Sequence, residues 1–161
     1  MRRFIPDRAG AVGLLLVALS AASLQAQKAD PILGTWKLNL AKSKYTPGPA
    51  PKSETRTYVA DGPAIKASAQ VTDPEGKPTS VEWMLNYDGK PHPETGNPDA
   101  DSLAVKRVSP STTEFTQTMG GKVVIRGRRT IAQDGKTMTI TSKGVNAKGE
   151  TINNVEVFEK Q

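Results

Sequence analysis

The single histidine, His92, stands in the irregular run 90–101 (KPHPETGNPDAD), with Glu94, Asp99 and Asp101 close by. Carboxylates around one imidazole offer the oxygen-rich surroundings that a hard cation takes. The spacing fits no metal-binding loop, however, and there is no second imidazole. The run reads as an exposed loop, and neither a metal nor another cofactor is called for. Catalytic patterns are equally thin. The chain has no Gly-x-Ser-x-Gly elbow, no His-x-x-x-His pair and no glycine loop that would cradle a phosphate. An enzyme is therefore not expected, although His92 and Glu156 are the residues that would carry protons in one. Binding chemistry has more to stand on. Arg129 is in phase with Val123, Ile125 and Ile131 on a run of period two, which turns it inward with the apolar side chains. A buried guanidinium must be paired or hydrogen-bonded. Gly127, between Arg126 and Arg128, is a candidate bulge, and a bulge there would turn Arg128 inward instead.

The elements that position these residues follow a leader. Arg2, Arg3 and Arg8 give a basic start, residues 11–22 (AVGLLLVALSAA) an apolar centre, and Ser23-Leu24-Gln25-Ala26 a small-residue cleavage site. That layout predicts a helical signal peptide over 1–26 that is cleaved on export, because the apolar run is short of the roughly 20 residues that a spanning helix needs. Arg2-Arg3 is followed by Phe4-Ile5-Pro6-Asp7, which favours ordinary export over the twin-arginine route. A secreted or periplasmic address follows, with no stable membrane anchor once the leader is gone. Removing the leader's net +2 from the formal +6 of the 161-residue chain leaves +4 on residues 27–161. The positive charge is dispersed, so solvated strand faces are expected. Nucleic acid, which would want a denser basic stripe with exposed aromatics, is not. Without cysteine there are no disulfides, no thiolate chemistry and no lipid-bearing cysteine, so stability must come from the core. A single domain of this size buries enough for that.

Short alternating runs fill the rest. They cover residues 34–40, 54–60, 64–72, 81–87, 103–108, 113–119, 122–131, 136–142 and 151–159. Ile65, Ala67, Ala69 and Val71 face one way while Lys66, Ser68 and Gln70 face the other, the period of a half-buried strand. Turn residues separate the runs, as in Asp61-Gly62-Pro63, Asp88-Gly89 and Gly120-Gly121. Residues 41–52 (AKSKYTPGPAPK) hold three prolines and a glycine and predict an ordered loop rather than a helix. Strands at about 8–12-residue spacing, joined by hairpin turns, predict an all-β antiparallel up-and-down barrel of about 8–9 strands over residues 27–161. Closure leaves no exposed edge, so a monomer is expected. Trp36, Tyr58, Trp83, Tyr87, Phe115 and Phe158 fall on these runs. They either line a cavity for an apolar ligand or fill the interior, as small barrels allow both.

Gly34-Thr35-Trp36-Lys37-Leu38 at the start of an all-β meander resembles the opening of the lipocalin and fatty-acid-binding superfamily, and Val157-Phe158-Glu159-Lys160 resembles the last strand of fatty-acid-binding proteins. The nearest overall likeness is to small exported bacterial proteins with a lipocalin-like barrel. The resemblance implies that Trp36 plugs the closed end and that Glu156 on the last strand points inward, where it would pair with Arg129. Two departures limit it. The family's helical lid is replaced by the proline-rich run 41–52, and its Arg-x-Tyr carboxylate clamp by Glu156 and Phe158. An acid in the place of that cation would repel a fatty-acid head group. The expected function is an exported module binding a small apolar or amphipathic molecule, with Trp36, Tyr58, Trp83, Tyr87, Phe115, Arg129, Glu156 and Phe158 as candidate contacts. The alternative is an envelope-associated barrel acting through outward basic residues such as Lys122, Arg126 and Arg128.

Overall fold

The computed structural model describes residues 29–161, and the expected signal peptide over 1–26 lies outside the described residues. Ten antiparallel strands close into one barrel: β1 (Gly34–Leu38), β2 (Ser53–Asp61), β3 (Ala64–Thr72), β4 (Pro78–Leu85), β5 (Asp88–Thr95), β6 (Ser102–Ser109), β7 (Thr112–Met119), β8 (Lys122–Ile131), β9 (Thr137–Val145) and β10 (Thr151–Lys160). Each strand pairs with its neighbour in sequence, and β1 closes the wall between β2 and β10. The up-and-down barrel is as expected, but the count of eight or nine strands is corrected to ten.

The additional strand is β5, which runs through the segment expected to be an irregular loop. Pro91 and Pro93 hid it, since proline cannot donate to a ladder and normally marks an edge. The barrel tolerates them because β5 is edge-like on one side. Its pairing with β4 is limited to Glu82↔Thr95 and Trp83↔Glu94. A second correction concerns β4, which ends at Leu85 rather than Tyr87. Tyr87 lies in the tight turn before β5 with φ of 54°, a left-handed conformation that few side chains adopt.

Alternation along each strand divides core from solvent. In β3, Ile65, Ala67 and Ala69 are buried while Lys66 is exposed. In β8 the register slips between Gln117↔Ile125 and Thr118↔Val123, so the extra residue is Val124 and not Gly127. Ile125, Arg129 and Ile131 are consequently buried, and Val123 is turned out to solvent. Arg128 is exposed and pairs with Glu114 at 2.6 Å. The inward arginine is Arg129.

The two ends differ. At the closed end residues 29–33 cross beneath the strands. Trp36 is fully buried there, and its indole N–H donates to the Ile32 carbonyl at 2.7 Å. Gly34 makes this entry feasible, with φ of 116° and the Lys160 side chain so close that a Cβ would lie 3.1 Å from its Cε. Asp30 latches the crossing segment by accepting hydrogen bonds from Arg107 and from the Tyr87 hydroxyl. At the open end the proline-rich run forms an ordered cover. A 3₁₀ turn (Leu40–Lys42) begins it, Lys44 bridges to Val155, and Lys52 N–H bonds to the Thr72 carbonyl at 2.8 Å.

Candidate functional site

The interior is part filled and part hollow. Trp36, Tyr58, Leu85, Met138 and Phe158 pack the half nearest the closed end. Above them a cavity of about 410 Å³ opens toward the cover, where Tyr45, Pro49 and Pro51 form its rim. Its apolar wall comes from Val71, Val81, Leu103, Phe115, Ile125 and Ile152. Gly127 makes room for Phe115. A Cβ at position 127 would collide with the Phe115 ring and with the Thr141 carbonyl oxygen.

The strands place charge in this cavity as well. Glu54 and Arg56 share the inward face of β2 with Tyr58, two residues apart each time. Arg56 Nε donates to Glu54 Oε1 at 2.5 Å, and its Nη2 lies 3.6 Å from Glu156 Oε2 on β10. Its guanidinium also lies 4.8 Å from the centre of the Phe158 ring. Burial pushes the Glu156 carboxyl up to about 7; Arg56 opposes that rise and Glu54 adds to it. Tyr45 stands beside Glu156, and burial raises its hydroxyl too, but that hydroxyl makes no hydrogen bond of normal geometry. Farther round the wall, Glu94 is also raised by burial and accepts from Gln117 Nε2 at 3.1 and 2.8 Å.

Arg129 is the unusual member. It is 4% exposed, yet its Nε and Nη1 have no hydrogen-bond partner among the described residues. Its guanidinium lies 5.5 Å from the centre of the Tyr58 ring. The Tyr58 hydroxyl, the Trp83 indole N–H and the Thr113 hydroxyl are likewise buried without partners. Buried N–H groups left unpaired cost about 1–3 kcal/mol each, and more when charged. A pocket that keeps several of them is suited to a guest carrying hydrogen-bond acceptors.

The sequence-derived candidates separate accordingly. Trp83, Phe115, Arg129 and Glu156 line the cavity. Trp36, Tyr58 and Phe158 are fully buried in the filled half. Tyr87 belongs to the closed-end latch, where Arg107 stacks 3.8 Å from the centre of its ring. The expected Arg129–Glu156 pair is not formed, because Glu156 turns to Arg56. His92 lies beside Asp88, with Nε2 2.9 Å from Oδ2, and is not part of the cavity wall. Sequence reading missed Glu54, Arg56, Glu94, Gln117 and Tyr45. The signal for the first two was present, because they alternate in phase with Tyr58 on β2.

No protein-family model matches the sequence, and no curated protein matches it. Among solved structures, Rv2717c from M. tuberculosis is similar with a TM-score of 0.51 and 14% identity, over 81% of this chain and 93% of that one. A redesigned β-barrel gives a TM-score of 0.49 at 16% identity, covering 81% and 92% of the two chains. Zebrafish ileal bile acid-binding protein, complexed with cholic acid, gives 0.47 at 13% identity, covering 81% and 99%. At 14% identity the likeness to Rv2717c is one of fold alone.

Proposed function

We propose that this protein is an exported binding module that holds one small amphipathic molecule in the open half of its barrel. One observation carries the reading: a cavity of about 410 Å³ whose wall includes a buried, unpartnered arginine, Arg129. That volume falls in the range of small-molecule pockets, and a largely apolar wall with a few convergent polar groups is their usual chemistry. Arg129 takes the ligand's acceptor group, and Phe115 with the aliphatic wall takes its apolar part. Export is supported by the basic start, apolar centre and small-residue site of residues 1–26. Ring closure of the sheet, in which every strand has a neighbour on both sides and only the short β4–β5 seam is edge-like, supports a monomer.

Native mass spectrometry of the protein purified from its own source tests this reading. The expected result is a monomer without residues 1–26 that carries one small-molecule adduct. Val71→Phe, which fills the cavity from its wall, is expected to remove the adduct while the thermal unfolding transition persists. An adduct that survives in folded Val71→Phe protein would place the ligand elsewhere.

A second reading draws on the outer wall. Arg126 and Lys143 lie directly opposite each other across β8 and β9, and neither has an acidic partner among the described residues. They flank a shallow groove with Val123 and Thr141. Like charges so placed repel, and an anionic surface would relieve them. Association of this kind weakens with salt; salt-independent association would dismiss it.

A further inference from the structure

Arg129 and Glu156 occupy one row of the barrel wall. Arg129 is opposite Ile140, and Ile140 is opposite Glu156. All three side chains line the cavity. Two strand spacings put the Cα atoms of Arg129 and Glu156 about 10 Å apart. Opposite charges at that separation on long side chains are able to meet over Ile140, yet they do not. Glu156 turns toward Arg56, which is already committed to Glu54 at 2.5 Å. One guanidinium therefore serves two carboxylates on the β2–β10 side, and a second guanidinium serves none among the described residues on the β8 side. The interior is left dipolar across the width of the cavity.

We infer that the bound molecule is a zwitterionic amphiphile, with its acidic group on Arg129, its cationic group toward Glu156 and its apolar chain along Phe115 and the aliphatic wall. The inference rests on the binding reading above and narrows it to one ligand class. A purely anionic amphiphile satisfies Arg129 but brings its charge into the row of Glu156 and toward Glu54, in surroundings that screen poorly. A purely cationic one satisfies Glu156 and leaves the Arg129 N–H groups orphaned. Only a molecule with both charges a few ångströms apart answers both walls. The unpartnered indole N–H of Trp83, also on the cavity wall, supplies a further donor for the acidic end. Such complementarity works through both attraction and exclusion.

Three probes with matched chains decide the matter by isothermal titration at pH 8, above the raised Glu156 carboxyl: 2-aminodecanoate, decanoate and decylammonium. The zwitterion is expected to bind at least ten-fold more tightly than either singly charged probe. Glu156→Gln is expected to erase its advantage over decanoate, and Arg129→Gln its advantage over decylammonium, with circular dichroism confirming that each variant folds. If a variant fails to fold, the wild-type ranking stands as the test. Decanoate or decylammonium binding as tightly as the zwitterion overturns the inference while leaving the binding reading in place. A zwitterion advantage that persists in folded Glu156→Gln protein also overturns it. No binding of any probe to the folded wild-type barrel overturns both.

Discussion

The closed and open halves of this barrel are built from the same strands to opposite ends. β10 carries fully buried Phe158 in the lower half and, two residues earlier, the cavity carboxyl of Glu156. β2 likewise carries Tyr58 below and the Glu54–Arg56 pair above. In the lower half Trp36 packs without exposure and its single polar atom is satisfied by Ile32. The Tyr58 hydroxyl is the exception there, whereas in the upper half charged and indole N–H donors on Arg129 and Trp83 remain unanswered among the described residues. The contrast teaches that stability and recognition are divided along each strand rather than between strands. The floor can therefore hold the ring closed while the upper half keeps groups that would be a liability in a folding core.

Substitutions sharpen that contrast, beginning at the floor. Trp36→Ala removes the largest fully buried side chain, and truncations of this kind cost about 3–5 kcal/mol. Urea unfolding is expected to show that loss, and a cost below about 1 kcal/mol would break the division. Next comes pH. Because burial raises the folded Glu156 carboxyl to about 7, its contribution to stability is complete below the unfolded value of roughly 4.3 and disappears as pH rises through about 7. The expected decline is roughly 3–4 kcal/mol. Arg56, Glu54 and Tyr45 surround Glu156, and Glu94 shifts in the same direction for the same reason. Glu156→Gln should therefore flatten most of the decline, and a slope left intact would assign it to Glu94.

The remaining effects are smaller. Gly127→Ala forces a methyl group against Phe115 and a backbone oxygen, an overpacking expected to cost about 1–3 kcal/mol and to narrow the cavity. Thermal unfolding and probe titration on one variant would read both effects. Arg129→Met replaces an unpartnered guanidinium with an apolar side chain of similar length. It is expected to leave stability unchanged, or raised by about 1 kcal/mol, while ligand binding is lost. Marked destabilisation would show that Arg129 supports the fold instead. Its neighbour Arg128 makes an exposed ion pair with Glu114, and Arg128→Ala is expected to change stability by less than about 0.5 kcal/mol.

Nine of the ten strands were legible as alternating runs bounded by turn residues, whereas the choice between Arg129 and Arg128 as the inward arginine was left open until the register of β8 decided it. β5 was not, because Pro91 and Pro93 speak against a strand when only local preference is considered. Ring closure overrides that preference: the chain between β4 and β6 must complete the wall. Gly127 stood as the candidate for a parity break that the structure puts at Val124. Glycine looks like a bulge from its neighbours alone, whereas here it makes space for Phe115 across the strand.

What the amino-acid order determined by itself was period and polarity: which side chains share a face, where the chain turns, and that a tryptophan opens the first strand. Those properties arise between residues a few positions apart, where backbone geometry leaves little choice. Whether the interior is solid or hollow, and which acid answers which arginine, was decided by the tertiary structure. Arg56 meets Glu156 from a strand 100 residues away in the chain, and Arg129 meets no acid among the described residues, because pairing follows distance across the closed ring.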